Sequence, residues 1–227
     1  NPWVYITDSS QKYATILHSY LMYFKLLIFP HPLTHDYYYN QIPYKTFSDP
    51  TVILSILIHI GLFIIMIQNL LKRTLIGFAI AFYFITFSIV SNIPFTVGII
   101  MNERFVFISS IGFALLMAHR LINADGKWKV STQSMQYAFI AILSLYSIKS
   151  FTRNFDWKDN TTLFENDIKI STNSAKVATA LGAHYLEIAD STSNTADKQS
   201  LMKKAQEVLF HSLEVYPQNS GTYLLLG

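Results

Sequence analysis

Cysteine is absent from the 227 residues, so neither disulfides nor thiolate metal sites serve this fold, and the redox compartment is left open. Charge is scarce: 14% of residues are Asp, Glu, Lys or Arg, against about 25% in soluble domains. Much of the chain is therefore not built for water. Glycine is sparse as well, at 8, and none sits in a phosphate-cradling loop. No P-loop, dinucleotide fingerprint, nucleophile elbow or zinc motif occurs, so a soluble-enzyme reading has no support. The basic residues form no stripe, which removes nucleic acid from the expected partners. The opening Asn1-Pro2-Trp3 lacks an initiator Met and a basic leader, so it is not a signal peptide. It reads as an internal start, with an upstream region expected.

What is present is apolar. Residues of that class make up 51% of the chain and aromatics 15%. The charge is uneven: residues 1–150 carry +5 and residues 151–227 carry −2, which together make the net +3. Up to about Ser150, five segments approach the roughly 20 residues that a bilayer requires. They are Tyr13–Phe29, Thr51–Leu71, Thr74–Ile93, Phe105–Ile122 and Met135–Ser150. The first is broken by Lys25 and ended by Pro30, and an interfacial helix is its alternative. Lys72-Arg73 lies between the second and third segments; Arg120, Lys127 and Lys129 lie between the fourth and fifth. The Lys/Arg bias places both loops in the cytoplasm. Alternation then puts 30–50, 91–104 and everything after 150 outside, in a periplasm or a lumen. Lys149, Arg153 and Lys158 argue mildly against this.

Beyond Phe151 the chain turns polar and follows the tetratricopeptide repeat (TPR) pattern, W-x2-L-G-x2-Y, then A-x3-F, then P. Ala178, Leu181, Gly182 and Tyr185 match the first part, with Ala in place of Trp. Ala205, Leu209, Ser212 and Pro217 match the second, and Ser191–Ser200 reads as a polar insertion that lengthens the turn. Tyr223, Leu226 and Gly227 restart the pattern in register; an ordinary helical hairpin is the alternative. One repeat cannot bury its own apolar face and about three are needed, so further repeats are expected after Gly227. The expected fold class is all-α: a polytopic membrane helix bundle over 1–150, a linker over 151–170, and a truncated TPR α-solenoid over 171–227.

Three polar clusters fall in the regions expected outside. The first is His31, His35 and Asp36 among three tyrosines. It reads as a metal site, an interfacial aromatic belt or a substrate-facing loop, and Pro30 and Pro32 count against one ligating helical face. The second is Glu103-Arg104, either a structural ion pair or a guanidinium clamp for a lipid-linked phosphate. The third, Arg153, Asp156 and Trp157, either lines the same outer cavity or caps the first soluble helix.

Three stretches together resemble one family. They are Leu27-Ile28-Phe29-Pro30-His31-Pro32-Leu33-Thr34-His35-Asp36-Tyr37 with Ile42-Pro43; Glu103-Arg104-Phe105-Val106-Phe107-Ile108-Ser109-Ser110-Ile111-Gly112-Phe113; and Arg153-Asn154 with Asp156-Trp157 leading into the repeats. In this order they resemble the transmembrane-and-TPR-containing glycosyltransferases, over nearly the whole chain. The resemblance implies a type-C glycosyltransferase body that takes sugar from a polyprenyl-phosphate donor, with no cofactor and with a divalent metal left open. It implies protein O-mannosylation in the manner of the eukaryotic members, with the TPR array engaging a protein or glycan acceptor. Glu103 and Arg104 are placed near the donor site by this resemblance, and the catalytic acidic residues are expected upstream of Asn1. Apart from it, an O-antigen ligase or polymerase, a TPR membrane scaffold without activity, and a transporter are the competing readings.

Overall fold

The computed structural model describes residues 2–6, 8–122 and 132–227. Lys127 and Lys129, named above for a cytoplasmic loop, lie outside the described residues. Every regular element described is helical. The chain divides into two compact units: Trp3–His31 with Tyr44–Phe151, and Pro32–Pro43 with Thr152–Gly227.

In the first unit, α1 (Ser9–Ile28) starts where the Asp8 carboxylate accepts from Ser10 N at 2.8 Å, a cap that satisfies one orphan donor. Its buried residues Ile16, Ser19, Tyr20, Tyr23 and Leu27 recur every three or four places and form one face. Helix α2 (Pro50–Leu71) begins the same way: Asp49 accepts from Thr51 N at 2.8 Å, and Pro50 takes the first turn, where its missing N–H costs nothing. Only Val52, Ser55, His59 and Met66 of α2 are buried, while Leu57, Ile60, Phe63 and Ile64 are each at least half exposed. An apolar surface that wide suits hydrocarbon rather than water. At 22 residues the helix reaches about 33 Å, enough for a hydrocarbon core of about 30 Å.

Among the described residues, α2 alone is both long and apolar enough to cross a membrane; α3 (Leu75–Ser88) and α4 (Ser110–Ile122) are shorter apolar helices. The five expected segments are thus all largely helical, but one meets the length and composition test. The segment expected over Thr74–Ile93 stops at Ser88. Its end has a local cause. Asn92 adopts φ 61°, and its side chain closes the following loop, accepting from Val97 N at 2.9 Å and donating to Ile99 O at 3.0 Å. An asparagine that satisfies loop backbone competes directly with helix. Trp3 Nε1 donates to the same carboxamide at 3.2 Å. The segment expected from Phe105 likewise becomes α-helix only at Ser110, after a 3-10 turn over Glu103–Val106. Helices α3 and α4 pack closely at Gly112, where a Cβ would stand 2.5 Å from the Ala79 carbonyl oxygen. Helix α5 (Thr132–Asp156) is longer than the expected Met135–Ser150 and exposes Ile140, Leu145, Ile148 and Phe151.

The second unit holds the last residues of α5, then α6 (Asn160–Ile170), α7 (Ala175–Ser191), α8 (Thr195–Val215) and α9 (Ser220–Leu226). The stretch 151–170 is therefore mostly helical, and α6 packs Phe164 and Ile168 on the α7–α8 core. Helices α7 and α8 run antiparallel: Ala175 meets Ser212, Gly182 meets Leu209, and Tyr185 meets Ala205. Ala178, Leu181, Tyr185, Ala205, Leu209 and Ser212 are all buried. Pro217 lies in the turn before α9; Tyr223 is exposed, Leu226 half-buried, and Gly227 ends the chain at φ 130°. The polar stretch Ser191–Ser200 does not lengthen the turn as expected. Only Thr192, Ser193 and Asn194 lie outside helix, because Asn194 caps α8 by accepting from Ala196 N at 3.0 Å and helix-forming residues follow. A buried polar node joins α7, α8 and α9. Thr179 Oγ1 lies 2.8 Å from both Ser212 Oγ and Thr222 Oγ1, and Asn219 Nδ2 donates to it at 3.0 Å.

Candidate functional site

Glu103 and Arg104 occupy the 3-10 turn of the first unit. The turn is pinned from two sides. Asn102 accepts from Arg104 N at 3.2 Å, and its own N–H donates to the hydroxyl of Tyr23 at 2.9 Å. Tyr23 is buried, with its ring edge-on to Phe87 at 5.2 Å. The backbone of Arg104 is thereby fixed to α1 and α3, while its side chain is exposed, the guanidinium 5.8 Å from the Phe105 ring. Among the described residues Arg104 makes no ion pair, so a Glu103–Arg104 bridge does not form. Phe107 and Ile108 beside it are 75% and 57% exposed. A planar five-donor cation on a rigid turn, flanked by apolar side chains facing outward, can take a phosphate held at a lipid surface. Its unneutralised charge and fixed main chain are the properties such a clamp needs.

Of the other candidates, which fall mainly in the second unit, His35 and Arg153 meet at a residue that the motifs do not include, Asp167 of α6. Its side chain is fully buried. Arg153 grips it with two bonds, Nη1 to Oδ1 at 2.7 Å and Nη2 to Oδ2 at 3.0 Å. His35 adds two more, from its main-chain N–H and from Nδ1, both at 2.7 Å to Oδ2. A carboxylate only accepts, so Nδ1 of His35 carries the proton. Burial pushes the Asp167 carboxyl up, but the His35 and Arg153 hydrogen bonds and the Arg153 charge outweigh it and hold the group below the ordinary aspartate range. Arg153 also donates to Asp156 at 2.9 Å and lies 5.8 Å from the Trp157 ring; Asp156 in turn accepts from Asn166 at 2.8 Å.

Asp36 is directed elsewhere, accepting from Tyr38 N at 2.6 Å and pairing with Lys176 Nζ at 2.6 Å. The segment Pro32–Pro43 continues as a strap over the α6–α7 junction. Tyr39 O accepts from Ala175 N at 2.7 Å, Tyr38 O accepts from Ser174 Oγ, and Asn40 N donates to Asn173 O at 2.8 Å. The bond from Ala175 N satisfies an orphan N–H at the start of α7, and Gln41 Nε2, donating to Ile170 O at 3.3 Å, satisfies a carbonyl at the end of α6. His31 stands apart in the first unit, exposed, its ring 6.0 Å from Phe29. Among the described residues no three His, Asp or Glu side chains gather as metal ligands. The sequence carries one signal for Asp167: a carboxylate set on the apolar stripe of Leu163, Phe164 and Ile168, where only a paired group is tolerated.

No protein-family profile matches the chain, and no solved structure matches it. Curated sequences do. A protein O-mannosyl-transferase, TMTC3 of Homo sapiens, is 30% identical over 142 residues, 60% of this chain and 14% of that protein. Tmtc3 of Drosophila melanogaster is 30% identical over 190 residues, 79% of this chain and 20% of that protein. TMTC1 of Mus musculus is 25% identical over 226 residues, 93% of this chain and 22% of that protein. The chain spans about a fifth or less of the length of these relatives. The longest of these matches covers 93% of the chain and so reaches residues of both compact units, and the chain is a homologue, over that share of their length, of the TMTC protein O-mannosyl-transferases.

Proposed function

We propose that this chain is part of a membrane glycosyltransferase that moves a sugar from a polyprenyl-phosphate donor to a hydroxyl of a protein acceptor on the non-cytoplasmic side. The relatives' name supplies mannose as the sugar and protein as the acceptor. The observation that carries the reading is the match to Tmtc3 over 79% of the chain, which takes in both a membrane-type unit and a helical tail. In this reading α1 to α5 belong to a multi-pass body, and α6 to α9 begin a TPR platform that holds the acceptor in a periplasm or lumen. Holding two reactants in place supplies several kcal/mol of the barrier reduction.

The acceptor oxygen attacks the anomeric carbon, the bond from that carbon to the phosphate oxygen breaks, and polyprenyl phosphate leaves with its charge increased. In this reading Arg104 stabilises that charge, as donors aimed at developing negative charge do in other transferases. No residue of this chain is assigned as the base that takes the hydroxyl proton. No metal is assigned to Glu103, His31, His35 or Asp36, and the strap and the Asp167 network hold the base of the tail together. The test is transfer of radiolabelled mannose by the full-length protein in detergent, offering polyprenyl-phosphate mannose or a nucleotide sugar. Incorporation into a protein acceptor from the lipid donor alone is expected; incorporation only from the nucleotide sugar would overturn the reading.

A further inference from the structure

We propose that Asn160 is an acceptor for an N-linked oligosaccharide, an inference that rests on the non-cytoplasmic placement of the tail given above. Asn160-Thr161-Thr162 is the acceptor tripeptide Asn-x-Thr with no proline at its centre, and the 227 residues contain no other Asn followed two places on by Ser or Thr. A three-residue match is weak by itself, and the structural context decides its weight. Asn160 is exposed and is the first residue of α6. Asn160 shares the i, i+3, i+7 stripe of Leu163 and Asp167, but as the first residue its Cα–Cβ bond tilts toward the N-terminus, beyond the helix start. Among the described residues its carboxamide has no hydrogen-bond partner. Asn92, Asn102, Asn166 and Asn219, by contrast, all engage theirs with neighbouring groups.

The flanking residues leave the site open. Residues 157, 158 and 159 are all exposed. The helix start does not depend on Asn160, because the cap is Asp159, whose carboxylate accepts from Thr162 N at 2.8 Å. A bulky polar group at Asn160 therefore displaces no packed side chain and breaks no cap. Modification acts on the chain during translocation, before α6 forms. The co-reactant is an oligosaccharide linked through a diphosphate to a polyprenyl lipid, and the catalyst is the host's oligosaccharide transferase. Nδ2 of Asn160 bonds to the anomeric carbon, the bond from that carbon to the diphosphate oxygen breaks, and polyprenyl diphosphate leaves. The proton from Nδ2 passes to the transferase's base.

The experiment expresses the full-length protein in a eukaryotic cell and compares its gel mobility with and without peptide N-glycosidase, for wild type and for Asn160→Gln, Thr162→Ala and Thr162→Ser. A short epitope placed between Thr192 and Ser193 reports sidedness in parallel, through protease protection in sealed microsomes. The expected result is a protected epitope with one glycan step that disappears in Asn160→Gln and Thr162→Ala and persists in Thr162→Ser. A protected epitope with identical mobility in wild type and Asn160→Gln would overturn this proposal and leave the tail's sidedness standing. A digested epitope would overturn both.

Discussion

Asp167 shows what a single buried carboxylate requires. It has no exposure, yet four hydrogen bonds from Arg153 and His35 saturate its oxygens. Removing one partner of a buried pair leaves an uncompensated charge and costs about 3 kcal/mol or more. Asp167→Asn is therefore expected to destabilise the base of the tail by about that amount, read as faster amide exchange in α6 and in the strap of the full-length protein. Its pH dependence has a definite sign. The folded carboxyl lies below its unfolded value, so its contribution is complete above the unfolded pKa of about 3.9 and is lost as pH falls through the lower folded value. The extra exchange of Asp167→Asn over wild type is expected to shrink only in that acidic window. An equal difference persisting through it would contradict the assignment. Arg153 and His35 stand out in the sequence while their shared partner Asp167 is marked only by its place on an apolar stripe, because the His35–Asp167 pairing spans more than a hundred residues and leaves no trace in local spacing.

Close approach between helices is set by single small residues. A Cβ at Gly182 would stand 2.5 Å from Leu209 Cγ and 2.6 Å from its Cδ2. Alanine there gains about 1 kcal/mol in helix propensity but overpacks the α7–α8 seam at a cost of about 1–3 kcal/mol. Gly182→Ala is expected to lower protection of α7 and α8 in the same exchange measurement; increased protection would show that the seam can widen freely. This seam was legible because the TPR pattern fixes small residues at set places, and Ala178, Gly182 and Ala205 fill them. The strap was not legible, since Pro32–Pro43 meets α6 and α7 through long-range pairs such as His35–Asp167 and Asp36–Lys176 and through backbone groups of Tyr38, Tyr39 and Asn40, neither of which local spacing reveals. The ends of α3 and α4 were misplaced for a related reason. Residues 89–93 and 105–108 are mostly apolar, and hydropathy cannot distinguish an apolar helix from an apolar loop organised by Asn92 or from a 3-10 turn. The length of α5 was underestimated because Arg153 and Asp156, as a charged pair one turn apart, look like an interruption but continue the helix.

At the scale of the whole molecule, the two solvents written into composition agree with the two units. The first unit exposes a broad apolar surface on α2 and α5, and the second packs a conventional core and carries most of the acidic residues. Of the polar candidates, those in the second unit are engaged in holding it together, whereas Arg104 combines a fixed backbone with an exposed guanidinium that makes no ion pair among the described residues. In the proposed function this charge meets the phosphate of a lipid-linked sugar. Steady-state kinetics of the full-length protein tests it most directly, comparing wild type, Arg104→Lys and Arg104→Ala at varied polyprenyl-phosphate mannose and at varied acceptor. Arg104→Ala is expected to lower kcat/KM for the donor by about 100-fold, equivalent to about 2.7 kcal/mol. Arg104→Lys should recover only part of the loss, and KM for the acceptor and the melting temperature should stay unchanged. Wild-type donor kinetics in Arg104→Ala would contradict it.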